Sequence, residues 1–230
     1  MGIVRLNDEI FTTDSTEYEI LAEAVLKIKG IEGGVVEIGT RTGGSAKLII
    51  DGLVANEDTD RSMFCIDPYG NLDYFCSNLN VTAHNLQVEI KGDPNSVEDF
   101  VPVRLDYTNE MRNTIVPSLY YYGLKRLTNF QFFCLEDAEF FKAFPDGVPT
   151  YNEHKIVVDK YAFVFFDGPH TNEDLIREIE FFGPRSPIGT VWVFDDVWMY
   201  NHNRIEELAF SCGFEVITKG NVKASYVKVK

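Results

Sequence analysis

Acidic residues stand at the ends of nearly all the predicted strands of this chain. Five short apolar runs end on an acid or on a pair of acids: Glu37, Asp67, Glu136 with Asp137, Asp167, and Asp195 with Asp196. A single acid in such a place is commonly a helix cap. Because an open parallel sheet binds ligands beyond the carboxyl ends of its strands, so many acids at strand ends together predict a shared polar site.

Asp167, Asp195 and Asp196 are candidate metal ligands. If the two strands that they follow are neighbours, their carboxylates lie roughly 5 Å apart. Such carboxylates repel one another or take up protons, and a hard divalent cation relieves the repulsion. Oxygen-only ligands favour magnesium, manganese or calcium. The alternative is that Asp195 caps a helix and Asp196 faces solvent.

His170 is a candidate general base. It follows Asp167 by three residues and precedes a predicted helix, so that its imidazole could reach the same cleft. An imidazole that is neutral near neutral pH suits proton removal. We therefore take His170 and Asp167 as the candidate catalytic pair. The alternative for His170 is an ordinary surface histidine in a loop.

Residues 37–45 read Glu-Ile-Gly-Thr-Arg-Thr-Gly-Gly-Ser between an apolar run and a helical pattern. A strand, a glycine-bearing turn and a helix together bring backbone close to a nucleotide-like ligand. The spacing Glu-x-Gly-x-x-x-Gly is neither the dinucleotide-binding Gly-x-Gly-x-x-Gly nor a P-loop. Alone, it is equally typical of an unremarkable turn.

Asp67, Glu136 and Asp137 suit other parts of a nucleotide-like ligand. Asp67 lies about where dinucleotide folds place an acid that accepts hydrogen bonds from ribose hydroxyls. Glu136 and Asp137 could accept from an adenine amino group. The alternatives are an N-cap for Asp67 and an acidic first turn of a helix for the other two residues.

Apolar runs alternate with helical patterns along the chain. We predict strands at 35–38, 62–66, 130–135, 161–166 and 190–194, and helices at 14–29, 44–55, 137–144, 172–182 and 203–212. A capping box, Thr16-x-x-Glu19, is predicted to begin the first helix. Buried strands separated by helices predict an α/β fold with a Rossmann-like, doubly wound, mostly parallel sheet.

Two segments depart from this alternation. Residues 214–218 and 224–229 flank Lys219-Gly220-Asn221, which predicts a C-terminal antiparallel hairpin. Residues 68–129 form an insertion between strands two and three that is too long for an ordinary crossover loop. We predict a lid or an oligomer contact there, including a homo-oligomer, within a single domain spanning 1–230.

Composition narrows the classes of partner. With 230 residues, of which 45% are hydrophobic, the chain can form one large core. The net charge of −15 makes nucleic acid and anionic membranes poor partners. Cys65 and Cys134 lie in apolar runs and are predicted to be buried free thiols, which fits a cytoplasmic setting. No signal peptide is evident in residues 1–9, and no apolar run is long enough to span a membrane.

The sequence resembles class I S-adenosylmethionine-dependent methyltransferases. Residues 37–46 are similar to the first motif of that superfamily, and especially to that of the metal-dependent O-methyltransferases, which include macrocin O-methyltransferase and cephalosporin-hydroxylase-like proteins. Phe166-Asp167-Gly168-Pro169-His170 resembles the Ile-Asp-Gly-Asp-His segment of that branch, and Phe194-Asp195-Asp196 resembles its Asp-Asp motif. The similarity covers residues 31–67 and 130–230.

The resemblance implies a function and a set of site residues. The function is transfer of a methyl group from S-adenosylmethionine to a hydroxyl of a small molecule or sugar, assisted by a divalent metal such as magnesium. The implied metal ligands are Asp167, Asp195 and Asp196. The implied and predicted cofactor residues are Glu37, Gly39, Thr40, Gly43, Ser45, Asp67 and Glu136 or Asp137. Pro169 stands where the branch often has an acid, which leaves His170 as the base.

Two other functions remain open from the sequence. One is a methyltransferase-like domain that binds the cofactor and serves as a non-catalytic partner or sensor, a role suggested by the aromatic insertion. The other is a nicotinamide-dependent oxidoreductase, against which the missing Gly-x-Gly-x-x-Gly counts. The chemical identity of the acceptor does not follow from the residues.

Overall fold

A computed structural model describes residues 10–13, 15–72, 74–76, 101–103 and 107–230. Within these residues a mostly parallel sheet of seven strands forms the centre of the fold. The strands in chain order are β1 (Gly34–Ile38), β2 (Ser62–Ile66), β3 (Tyr74–Cys76), β4 (Val101–Val103), β5 (Asn129–Phe133), β6 (Val148–Asn152), β7 (His154–Val158), β8 (Tyr161–Phe166), β9 (Val191–Phe194), β10 (Phe214–Lys219) and β11 (Ala224–Lys228).

The central sheet has the strand order β10-β11-β9-β8-β1-β2-β5. The pairs from β9 to β5 are parallel, whereas β11 pairs antiparallel with both β9 and β10. The two strands that carry the candidate metal ligands, β8 and β9, are neighbours. The Rossmann-like fold class and the C-terminal antiparallel hairpin are thereby confirmed.

Helices cover both faces of the sheet because its central strands are apolar on both sides. Strands β1, β2, β8 and β9 are buried at every position. Separate apolar clusters lie on the two faces. The helices are α1 (Tyr18–Leu26), α2 (Gly44–Ala55) and α3 (Asn109–Leu124) on one face and α4 (Asp137–Ala143), α5 (Asn172–Phe182) and α6 (His202–Ser211) on the other.

The predicted insertion at 68–129 ends in an ordinary crossover helix. Helix α3 packs on β5 and α2 through Ile115, Leu119 and Tyr122, which are buried in the core. The hydroxyl of Tyr122 also donates to Asp51 Oδ1 on α2 at 2.5 Å. The last part of the segment therefore belongs to the regular alternation of strands and helices in the fold. Residues 73, 77–100 and 104–106 lie outside the described residues, and the role predicted for them stays a prediction.

The structure also departs from the sequence predictions at the N-terminal helix. Helix α1 begins at Tyr18, and Glu17 precedes it with a left-handed φ of 58° and no side-chain cap. The predicted capping box Thr16-x-x-Glu19 is wrong because Glu17, and not Thr16, is the N-cap residue. The Glu17 carboxylate is engaged elsewhere. It accepts the backbone N–H groups of residues 221–223 at 2.9 Å each. Asp14, where this helix was predicted to begin, lies outside the described residues.

Two further features were not anticipated. Strands β6 and β7 form a separate antiparallel hairpin whose second strand is exposed over most of its length. Cys65 is buried as predicted, but Cys134 is exposed, because it lies one residue beyond the edge strand β5. No helix in the described ranges is long and apolar enough to cross a bilayer.

Candidate active site

The residues just past four neighbouring strands line up along one edge of the sheet. The backbone N–H groups of Gly39, Asp67, Asp167 and Asp195 each donate to the last carbonyl of an adjacent strand, at 2.9 to 3.0 Å. Parallel pairing therefore continues one bond beyond the strands. In sheet order these residues are Asp195, Asp167, Gly39 and Asp67, so three of the predicted acids share this row, whereas Glu37 lies within β1.

The loop between β1 and α2 is held from outside by the N-terminal segment. Gly43 has a φ of +76°, and a β-carbon there would meet the Phe11 ring at 2.9 Å. At Gly44 a β-carbon would lie 2.2 Å from the carbonyl oxygen of Thr12, which also accepts from the Thr42 hydroxyl at 2.6 Å. Packing of residues 11–13 on the loop therefore requires glycine at both positions.

Asp67 ties the end of β2 to this loop. Its Oδ2 accepts the backbone N–H groups of Thr40 at 3.0 Å and Arg41 at 2.8 Å, and its Oδ1 accepts that of Tyr69 at 2.9 Å. Burial raises the pKa of Asp67 to about 6, while these backbone hydrogen bonds oppose the rise. A carboxylate offers about four acceptor positions, and the hydrogen bonds from described residues occupy three of them.

Glu37 lies beneath the same loop and is fully buried. Its Oε2 accepts from the Thr40 hydroxyl at 2.9 Å and from the Cys65 thiol at 3.4 Å. Burial raises the pKa of Glu37 to about 7, and hydrogen bonds from Ser45, Thr40 and Cys65 oppose this rise. Glu37, Thr40, Gly43 and Ser45 are not among the described residues that line the cavity, and their predicted contact with a cofactor stays a prediction.

A cavity of about 400 Å³ opens beside the loop. This volume lies within the range of small-molecule sites. The apolar residues that line it include Pro68, Leu72 and Leu135. The acidic residues that line it are Asp67, Glu136, Asp137, Asp167 and Asp174, and Gly39 contributes backbone. Of the predicted site residues, the structure thus brings Gly39 and four acids together around one cavity.

Arg177 is a cavity residue that the sequence analysis missed. Its Nη2 lies 2.7 Å from Asp137 Oδ2 and 2.5 Å from Asp174 Oδ1. Burial raises the pKa of Asp137, and the Arg177 guanidinium opposes that rise. Asp137 is thereby engaged by Arg177, whereas Glu136 is exposed at the start of α4. The three-residue spacing of Asp174 and Arg177 on one predicted helix is typical of an ion pair and could have indicated Arg177.

The Asp195 carboxylate is paired with the buried ammonium of Lys223. Nζ of Lys223 lies 2.8 Å from both Oδ1 and Oδ2, and the two side chains are 0% and 1% exposed. Asp195 Oδ1 also accepts the backbone N–H of Asp196 at 2.7 Å and the Ser15 hydroxyl at 3.3 Å. Burial raises the pKa of Asp195, the Asp196 charge raises it further, and Lys223 opposes both.

These contacts do not fit the predicted metal site. In the part of the chain that the structure describes, no group of three His, Cys, Asp or Glu side chains is placed to hold a metal ion. At an effective dielectric constant of about 20, a dication about 4 Å from an ammonium is repelled by roughly 8 kcal/mol. The cation predicted at Asp167, Asp195 and Asp196 therefore conflicts at Asp195 with the positive charge that Lys223, from the turn before β11, already supplies. Metal binding by Asp167 and Asp196 stays a prediction.

His170 is buried rather than exposed on a surface loop. Its Nε2 lies 3.9 Å from Asp167 Oδ1, and its ring stacks on Tyr200 with centroids 6.0 Å apart. The Tyr200 hydroxyl donates to the carbonyl of Asp195 at 3.1 Å. His170 thus stands between the two acid-bearing strand ends, although it is not part of the described cavity lining.

Comparison with solved structures shows the same fold in several O-methyltransferases. The O-methyltransferase NovP has 19% sequence identity and a TM-score of 0.56, over 92% of this chain and 79% of NovP. TomG from Streptomyces achromogenes, solved in complex with SAM, has 11% identity and a TM-score of 0.56, over 96% of this chain and 82% of TomG. At these identities the likeness is one of fold.

An O-methyltransferase from Bacillus cereus, solved in complex with SAH, has 13% identity and a TM-score of 0.55, over 96% of this chain and 85% of that chain. No curated protein sequence matches the chain. Residues 36–197, which include the loop, the cavity acids and the Asp195-Asp196 pair, match the family described as "Methyltransferase domain". The chain therefore belongs to this methyltransferase family.

Proposed function

We propose that the protein is an S-adenosylmethionine-dependent O-methyltransferase that acts on a hydroxyl of a small molecule. The observation that carries the proposal is the cavity beside the β1–α2 loop, which the Asp67 carboxylate borders. Family membership supports methyl transfer. The fold is shared with NovP, TomG and the Bacillus cereus enzyme, which are O-methyltransferases.

The cavity is suited to the methyl donor by shape and by charge. Pro68, Leu72 and Leu135 offer apolar surface for an adenine ring, and the Asp67 carboxylate suits a ribose hydroxyl. Bound S-adenosylmethionine would supply an activated methyl group on a cationic sulfur. The acidic lining exceeds the single charge of Arg177 within the described lining, so the field favours a cation.

His170 is the residue we assign to proton transfer. It would accept, on a ring nitrogen, the proton that the acceptor hydroxyl loses as its oxygen takes the methyl group. Asp167 Oδ1, 3.9 Å from Nε2, would stabilise the imidazolium that results. The metal-assisted form of the reaction expected from the sequence is not part of this proposal, since Lys223 engages Asp195.

Two measurements test the proposal in sequence. Titration calorimetry with S-adenosylhomocysteine should show one site per chain, and no stabilisation by NAD should appear in a thermal-shift assay. Incubation with S-adenosylmethionine and a panel of hydroxylated small molecules should then yield a methylated product by mass spectrometry. Binding without product across the panel would favour the non-catalytic role, and absence of binding would exclude both roles.

A histidine comparison separates the base from the fold. His170→Gln should retain binding of S-adenosylhomocysteine but lower turnover by about 10²–10⁴-fold, the usual contribution of a general base. His154→Gln, on the exposed strand β7, is the matched control and should leave both unchanged. Equal turnover of the two variants would remove His170 from the mechanism.

A further inference from the structure

Lys223 is among the most deeply buried charged side chains that the structure describes. Its side chain is 0% exposed, and its Nζ has four oxygen neighbours. They are both carboxylate oxygens of Asp195 at 2.8 Å, the hydroxyl of Ser15 at 2.9 Å and the carbonyl of Thr16 at 2.8 Å. A buried ammonium is retained in a protein only where its donors are satisfied, as they are here.

The oxygen shell around Lys223 resembles that of a cation site. Carboxylate, hydroxyl and backbone carbonyl oxygens are also the ligands that a hard metal ion prefers. The ring of Tyr18 adds a face whose centroid lies 4.2 Å from Nζ. The backbone of Lys223 is also held in place, since its N–H donates to the Glu17 carboxylate at 2.9 Å.

We propose that Lys223 replaces a divalent cation at Asp195, so that the part of the site around Asp167, His170 and Asp195 works without a metal ion. This inference rests on the proposed function and deepens it, because it assigns a positioning residue to the same site. Lys223 neutralises Asp195 and keeps its carboxylate turned towards β11. It thereby leaves Asp167 as the acid beside His170.

The test uses Mn²⁺ alone as the probe, measured by electron paramagnetic resonance on the full chain. The wild-type protein should bind no Mn²⁺ that depends on Asp167. Lys223→Met should acquire one Mn²⁺ site, because Asp195 then lacks its counter-charge. The double variant Lys223→Met with Asp195→Asn should bind Mn²⁺ at least tenfold more weakly than Lys223→Met. Lys223→Arg keeps the positive charge and is the matched control that should not bind.

Each result supports or overturns the inference. A wild-type Mn²⁺ site that Asp167→Asn weakens tenfold or more would overturn it, and this comparison holds even if Lys223→Met does not fold. If circular dichroism shows that Lys223→Met is folded and this variant still binds no Mn²⁺, the inference would also be overturned. Wild-type binding that both Asp167→Asn and Asp195→Asn leave unchanged lies elsewhere on the acidic surface and agrees with the inference, whereas binding that Asp195→Asn weakens tenfold or more would overturn it.

Turnover provides a separate readout. Methyl transfer by the wild-type protein should be the same within twofold in EDTA and in added Mg²⁺, and a loss in EDTA that Mg²⁺ restores would overturn the inference. If no acceptor is methylated, the Mn²⁺ comparison still decides the role of Lys223. Failure of the proposed function would instead appear as absence of S-adenosylhomocysteine binding.

Discussion

Gly39 passes so close to the backbone of Asp167 that no other residue fits its position. A β-carbon on Gly39 would lie 1.8 Å from the carbonyl oxygen of Asp167, and its φ is +82°. The contact arises where the ends of the paired strands β1 and β8 meet at the sheet edge. Gly39 therefore holds the β1–α2 loop against the end of β8, the strand that Asp167 follows.

Gly39→Ala should destabilise the protein by more than about 3 kcal/mol, because a left-handed φ and a backbone clash act together. Gly30→Ala is a matched control, since Gly30 has a φ of +79° and nothing within 4 Å of an added β-carbon. It should cost only about 1 kcal/mol, the penalty of the backbone conformation itself. Urea denaturation measures both, and equal losses would mean that the approach to Asp167 is unimportant.

Asp67→Asn should weaken binding of S-adenosylhomocysteine about tenfold to a hundredfold. The amide cannot accept on both sides, and hydrogen bonds to a charged group contribute about 1.5–3 kcal/mol. Asp60→Asn is the control, because Asp60 is exposed and its carboxylate accepts from the Thr128 hydroxyl, away from the cavity lining. Calorimetry that finds equal affinity in both variants would remove Asp67 from the cofactor site.

Glu37 should make the protein less stable as the pH rises. Burial raises its pKa to about 7 in the folded state from an ordinary value of 4.5. Between these pH values the folded state holds a proton that the unfolded state has released, so the free energy of unfolding falls with increasing pH. At 1.36 kcal/mol per pKa unit, the full loss is about 3 kcal/mol.

Glu37→Gln isolates this contribution because glutamine has no proton to release. The stability of the wild type relative to this variant should fall by about 3 kcal/mol between pH 4.5 and pH 8. Glu32→Gln, whose wild-type side chain is 72% exposed and pairs with Lys160, should show little such change. Thermal denaturation at both pH values measures the difference, and parallel profiles for the two variants would contradict the assignment.

The sequence predicted the sheet well because its strands are apolar runs bounded by acids. The predicted limits 62–66 and 161–166 agree with β2 and β8, and those of helices 44–55 and 172–182 agree with α2 and α5. Burial on both faces leaves a strong local signal in such strands. The hairpin of β6 and β7 was missed because β7 is largely exposed and lacks a buried face to leave a periodic pattern.

Contacts between distant parts of the chain were beyond reach of the sequence. Thr16 and Glu19 have the spacing of a local capping box, but Glu17 between them binds backbone more than 200 residues away. Asp195 and Lys223 are 28 residues apart and meet only because β11 pairs with β9. The acids of the site were therefore predictable from strand ends, whereas their counter-charges were not.

Arg177 should tune the preference of the cavity between the methyl donor and its product. S-adenosylmethionine carries a cationic sulfur that S-adenosylhomocysteine lacks, and Arg177 is the positive charge among the described cavity residues. Arg177→Met should therefore raise the affinity for S-adenosylmethionine relative to S-adenosylhomocysteine, by about fivefold for a charge interaction of about 1 kcal/mol in a partly solvated site. Calorimetry with both ligands measures this ratio.

The same variant should cost about 1–3 kcal/mol of stability, because it leaves Asp137 buried without its partner. Asp137→Asn combined with Arg177→Met should recover part of that loss, since the amide needs no counter-charge. The double variant also tests the field argument: with one charge of each sign removed, the ratio of the two affinities should return towards the wild-type value. A ratio that stays raised in the double variant would show that Arg177 acts by shape and not by charge.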